Sequence, residues 1–144
     1  MNKVNESGPY IYNAIICKKS INDDVNGLCA NMIVGSIGAS SFPVTISVSL
    51  VLQIFNIEDC EDVPVTIDIK DPSGNIVSNV KGSITYKYVM SGLDRRYSGV
   101  SIETIWNNVL CKITGEYIFE VYMNDNKIGE CSFFMYNSYC EGTV

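Results

Sequence analysis

The sequence predicts an all-β chain folded as a two-sheet sandwich of eight or nine mostly antiparallel strands. Three observations predict it. Apolar and polar residues alternate at period two through most of the 144 residues. Clusters of Gly, Pro, Asn and Asp punctuate that alternation. No segment carries a helical period without an equally good strand reading. Apolar residues make up 47% and charged residues 18%, and a chain of this length buries about two-thirds of its unfolded surface in one core. The expected organisation is a polar N-terminal tail over 1–9, a single sandwich domain over 10–137 and a C-terminal tail over 138–144.

The clearest strand follows Pro43, where Ile46, Val48, Leu50, Leu52 and Ile54 share one face against Ser47, Ser49 and Gln53. Val65, Ile67 and Ile69 repeat the pattern against Thr66, Asp68 and Lys70. Asp71-Pro72-Ser73-Gly74-Asn75 then signals a hairpin: proline suits the first central turn position, and glycine supplies the left-handed residue that closes it. In the last hairpin Tyr117, Phe119 and Val121 alternate with Ile118, Glu120 and Tyr122, and the chain turns at Asn124-Asp125-Asn126. A two-residue loop that set Val121 opposite Glu130 would mix core and solvent on one face. A three-residue loop with Asn126 left-handed pairs Val121 with Gly129, Phe119 with Cys131 and Tyr117 with Phe133. A slip of one residue inverts every side chain, so the apolar pattern selects the second register.

Weaker strands are read at Tyr10–Cys17, Leu28–Ile37, Asn75–Val80, Ser83–Met90 and Ser98–Trp106. The last of these is ambiguous: Ile102, Ile105, Trp106 and Val109 fall at helical spacing, while Val100, Ile102, Thr104 and Trp106 fall at strand spacing. Its β-branched content and the Asn107-Asn108 break favour the strand.

Several of these signals together resemble an uncharacterised bacterial family of small immunoglobulin-like domains, known only as a domain of unknown function. The resemblance is carried by the early hairpin through Asn26-Gly27-Leu28, the Phe42-Pro43 entry to the long strand and the Asp71-Pro72-Ser73-Gly74 turn. Gly115-Glu116-Tyr117-Ile118-Phe119-Glu120-Val121 and the closing hairpin to Ile128-Gly129 complete it. It implies an immunoglobulin-like sandwich and brings no catalytic residues with it. Fold alone does not give function.

Composition removes several function classes. The net charge of −6 argues against a nucleic-acid partner, which needs a basic stripe. No run approaches the length of a membrane span, and the polar start lacks the apolar core of a secretory signal, so a cytoplasmic protein is expected. Six cysteines without a Cys-x-x-Cys spacing, in a chain able to fold on its core alone, are expected to be mostly free thiols. With no histidine, the Ser-His-Asp and Cys-His constellations are impossible, and the expectation is a protein that is not an enzyme and takes no cofactor. Gly35–Ser41 lacks the Gly-Lys-Ser/Thr ending of a phosphate loop. Glu58-Asp59-Cys60-Glu61-Asp62 offers carboxylates without calcium-loop spacing and reads as a solvated loop.

Two candidate sites remain. Arg95, Arg96 and Tyr97, with Asp94 beside them, form a loop tip whose guanidiniums can grip a carboxylate and whose ring can stack. On the closing hairpin Ile118, Tyr122, Ile128, Phe134 and Tyr136 are expected on the outward face, interrupted by Glu120 and Glu130, and an apolar patch rimmed by charge marks either intramolecular cover or an interface. The reading is a non-catalytic protein-interaction module whose partner is another protein or, through that face, a second copy in a homodimer. The alternative is a sandwich that binds a small anionic ligand at the arginines, such as a phage- or mobile-element-encoded inhibitor. The many Asn, Ile and Lys residues suggest an AT-rich genome, bacterial or viral.

Overall fold

Alternation makes each strand two-faced, and the apolar faces of nine strands close on one another. The computed structural model describes residues 8–23, 27–89 and 92–138, with the side chains of 19–29 and 31 left out. The strands are β1 (Tyr10–Asp23), β2 (Gly27–Ile33), β3 (Ser36–Ala39), β4 (Val44–Phe55), β5 (Cys60–Lys70), β6 (Ile76–Tyr86), β7 (Gly99–Cys111), β8 (Gly115–Met123) and β9 (Asn126–Asn137). One sheet has the order β2-β1-β4-β7 and the other β3-β9-β8-β5-β6. All pairs are antiparallel except β3 with β9.

Consecutive strands β4 and β5 lie in opposite sheets, β7 returns beside β4, β8 returns beside β5, and β9 lies beside β8. This is the immunoglobulin-like arrangement, with β1, β4 and β7 in the places of strands A, B and E and β5, β6, β8 and β9 in those of C, C′, F and G. The tyrosine corner of that fold is present too. Tyr117, near the start of β8, donates its hydroxyl hydrogen to the carbonyl of Ile113 at 2.7 Å. Among the described residues nothing stands in the place of strand D, beside β7.

The core sits between the sheets. Leu50, Leu52 and Ile54 of β4 face Tyr117, Phe119 and Phe133, and all six are fully buried. Trp106 meets Phe119 edge-on, with centroids 5.5 Å apart and planes at 90°, an arrangement that aligns ring edge with ring face.

The ambiguous segment is strand, and its helical spacing has a cause. Ile46 pairs with Val109 while Val48 pairs with Trp106, so β7 holds one extra residue there, a bulge. Asn108 absorbs it in a left-handed conformation at φ 58°. Trp106 and Val109, three residues apart, therefore both point inward, and Ile105 lies 64% exposed on the other face.

The Asp71–Asn75 turn forms as read. The Gly74 N–H donates to the Asp71 carbonyl at 2.9 Å, the Asp71 carboxylate accepts from Ser73 and Asn75 N–H, and Gly74 is left-handed at φ 88°. The two segments read separately at Asn75–Val80 and Ser83–Met90 join in one strand, β6, because Lys81-Gly82 continues the ladder with β5 instead of turning; the strand ends at Tyr86, and Met90 lies outside the described residues. The Leu28–Ile37 segment, read as one strand, is two, because Val34 and Gly35 carry the chain from one sheet to the other.

The closing hairpin has the expected register: Val121 opposite Gly129, Phe119 opposite Cys131, Tyr117 opposite Phe133. The turn that produces it differs. Asn124 and Asp125, at φ 51° and 66°, form a two-residue loop, and Asn126 pairs with Met123. A bulge at Ile128 then restores the register that the apolar pattern demands. The bulge corrects one candidate. Ile128 does not stand on the outward face but packs, half-buried, against the core.

Candidate functional site

Three connections meet at one end of the sandwich: β4 to β5 (56–59), β6 to β7 (87–98) and β8 to β9 (124–125). The lead into β1 joins them, and a cleft of about 570 Å³ lies among Gly8, Tyr10, Ile57, Asp59, Met123 and Lys127. In immunoglobulin variable domains the corresponding B–C and F–G connections carry recognition.

The arginine loop belongs to this end. Asp94 caps a single 3₁₀ turn over Arg95–Tyr97, its carboxylate accepting from the Arg96 N–H at 2.9 Å. The Arg96 side chain closes on the same carboxylate at 2.8 Å, and this pairing holds the Asp94 pKa down at about 2. Arg95 reaches Asp59 at 2.6 Å and lies over the Tyr88 ring, 5.0 Å from its centroid. Asp59 also accepts from the Tyr88 N–H, and this bond, ahead of the Arg95 guanidinium, lowers its pKa. Tyr88 donates its hydroxyl to the Leu93 carbonyl, and Tyr86 and Ser98 share a hydroxyl–hydroxyl bond. The loop is thus pinned at both ends, and each guanidinium already has a carboxylate partner.

Sequence reading missed the residues that extend this surface. Tyr10 donates to the Arg96 carbonyl at 2.9 Å and meets Phe55 edge-on. Tyr12 stacks on Phe55 at 4.4 Å with planes 14° apart, yet stays 60% exposed. Tyr97 is 48% exposed, with the Arg96 guanidinium over its ring. The available signal was Phe55, a large ring out of phase with the inward set that ends at Ile54.

The outward face of the closing hairpin is more polar than its side-chain list. Glu120 pairs with Lys70 at 2.8 Å and Lys127 at 3.1 Å, and accepts from the Tyr122 hydroxyl at 2.9 Å. Lys127 also meets Glu130. Ile118 and Tyr122 are half-buried in this network, while Phe134 and Tyr136 remain 52% and 40% exposed. Tyr136 lies where a side chain at Gly38 would stand, 2.7 Å from the position of a Cβ. The Lys70 hydrogen bond, reinforced by Lys127 and Tyr122, depresses the Glu120 pKa to about 2.

A carboxylate held below its unfolded value stabilises the fold at pH above that value, and the contribution is lost as pH falls through the folded one. Glu120→Gln is therefore expected to melt below the parent at pH 7. The gap should shrink as the pH falls below about 4.3, the ordinary glutamate value, and close near pH 2. Thermal melts across that range read it. A gap independent of pH would show that the network contributes nothing through charge.

Cys17, Cys60, Cys111 and Cys131 are free thiols; the Cys29 side chain and Cys140 lie outside the described residues. Burial raises Cys111 and pushes Cys131 up to about 11, which keeps both thiols protonated and unreactive. Among the described residues no three acidic, Cys or His groups converge as a metal site, and no helix is long and apolar enough to cross a membrane.

Comparison with solved structures finds similar folds at low identity. An immunoglobulin-like protein from Pseudomonas aeruginosa aligns with a TM-score of 0.45 and 12% identity, over 90% of this chain and 98% of that one. The Pseudomonas fluorescens alkylpurine DNA glycosylase AlkC aligns at 0.42 and 12%, over 88% of this chain and 30% of that one. A Bifidobacterium dentium beta-glucuronidase aligns at 0.43 and 14%, over 88% and 17%. No curated protein matches. One family model covers residues 13–135, nearly the whole sandwich, and the chain belongs to that family, the Family of unknown function (DUF6941).

Proposed function

We propose that this protein is a non-catalytic protein-interaction module that receives its partner at the loop end, on Arg95, Arg96 and Tyr97 together with Tyr12 and Phe55. The observation that carries the reading is the Tyr12–Phe55 stack, left 60% exposed at Tyr12 and joined to the arginine loop by Tyr10, which meets Phe55 and donates to the Arg96 carbonyl. Tyrosine and arginine are enriched at the energetic centres of interfaces: the tyrosine ring offers large contact area at low entropic cost, and the planar guanidinium stacks and donates in pairs. Carboxylates already neutralise both guanidiniums, which favours a protein surface over a small anion as the occupant. A net charge of −6 supports a partner other than nucleic acid. Free thiols support a reducing, cytoplasmic setting.

Arg95→Ala with Arg96→Ala and Tyr12→Ala is expected to abolish capture of the native partner from host extract. The lost exposed pairs with Asp59 and Asp94 and the lost stack on Phe55 should lower the melting temperature by a few degrees without unfolding the protein, which a thermal melt run alongside reads. A triple variant that captures the same partner would remove this surface from consideration. A second copy is the partner that Phe134 and Tyr136 favour, side by side and exposed on β9. Sedimentation of the unmodified protein as a monomer at micromolar concentration would end that second reading.

A further inference from the structure

The edge of β7 and the seam beside it form a second surface, independent of the loop end. At 13 residues β7 is a long strand paired on one side only. Among the described residues no backbone hydrogen bond reaches it from the side away from β4. Long unpaired edges are normally shortened, charged or covered. Here Glu103 is the one charge on the strand, and the bulge at Asn107–Asn108 disturbs only its far end.

The seam between β7 and β6, the edge of the facing sheet, is not filled. A gap of about 140 Å³ opens there, lined by Val65, Ile67, Val80, Gly82, Ile84 and Ile102 among others. Gly82 is the cause. It pairs with inward-facing Val65, so a side chain at this position would point between the sheets, and a Cβ there would meet nothing within 4 Å. Val80, on the same inward face, is left 38% exposed. The gap is open on one side and mostly apolar, so an apolar side chain entering it removes apolar surface from water.

We infer that the β7 edge accepts an extended segment of a partner protein by strand addition, in the place of strand D, which no described residue occupies. The segment's backbone pairs with Gly99–Trp106, and apolar side chains at every second position drop into the gap beside Gly82. On the outer face a basic residue meets Glu103, and a β-branched residue lies against exposed Ile105. A second copy does not fit as well. Its β7 could pair edge to edge, but its inward side chains belong to its own core and would leave the gap empty.

The test uses the whole protein and the capped peptide acetyl-Lys-Val-Thr-Val-Lys-Val-Thr-amide at millimolar concentration. The control replaces the central valine with proline, which cannot pair. The active peptide is expected to slow amide exchange across Gly99–Trp106 by about tenfold or more and to shift the resonances of Val80–Ile84, while the control does neither. Gly82→Val should abolish both effects and raise or preserve the melting temperature, because it fills the gap from within. Should that variant not fold, Gly82→Ala, whose single methyl fills only part of the gap, is expected to weaken both effects without abolishing them, and no weakening overturns the inference. The inference is overturned by an unchanged β7, by equal effects of the two peptides, by a gap-filled variant that still binds, or by a dimer whose β7 is already protected without peptide.

Discussion

Gly99→Ala is expected to be among the most damaging single-methyl changes in this protein. A Cβ at position 99 would stand 1.8 Å from the Ile54 carbonyl oxygen, 2.8 Å from its carbon and 2.9 Å from the Phe55 Cα. All three are backbone atoms in the middle of a ladder, so no side chain can swing aside. Relief requires β7 to lift away from β4 at the Gly99–Phe55 pair. Overpacking costs about 1–3 kcal/mol when side chains absorb it, and more when backbone must move. At this chain length each kcal/mol lowers the midpoint by about 3 °C, so a fall of about 10 °C or more is expected by calorimetry. The same movement unseats the arginine loop, because the Ser98 carbonyl, which accepts from the Asn56 N–H at 3.0 Å, leads directly into Gly99. Unchanged melting would mean that β4 and β7 are not held this closely at their ends.

Trp106→Ala should cost about as much for the opposite reason. The indole is 4% exposed, packs edge-on against Phe119 and donates its N–H to the Thr104 hydroxyl at 2.8 Å. Large-to-small changes at such aromatic positions cost about 3–5 kcal/mol, combining lost transfer energy with the cavity left behind. The informative comparison is Ile105→Ala, one residue away and 64% exposed, which should shift stability by less than about 0.5 kcal/mol. On a helix both positions would belong to one apolar stripe, and both substitutions would hurt. A large loss at Ile105 would overturn the bulged-strand geometry. Because Trp106 is the only tryptophan, its emission should also be blue-shifted in the native protein and move to the red on unfolding.

Where a single rule governs, the sequence was sufficient. Inward residues at period two placed Val48, Leu50, Leu52 and Ile54 in the core, and Val65, Ile67 and Ile69 opposite them. The Asp71–Asn75 turn was legible because its hydrogen bonds lie within five residues. The closing register was legible because only one pairing keeps Tyr117, Phe119 and Val121 on the same side as Phe133. These properties are local, or they follow from a pleat that leaves each side chain two directions.

Tertiary structure decided whatever depends on one strand meeting another. The Ile128 bulge is invisible in sequence, since a three-residue loop gives the same register as a two-residue turn with a bulge; the mutual fit of β8 and β9 selects between them. The Trp106–Val109 spacing read as helical because a bulge inserts its extra residue where β4 and β7 must realign. The loop end gathers Tyr10, Tyr12, Phe55, Asp59 and Arg96 from segments up to 86 residues apart. The Glu120 network likewise joins β5, β8 and β9: the carboxylate was legible on the outward face, but its Lys70 and Lys127 partners come from neighbouring strands. Alternation specifies which face of a strand is apolar. Which strand lies across from it, and what that neighbour leaves uncovered, is settled only when the sheets pack.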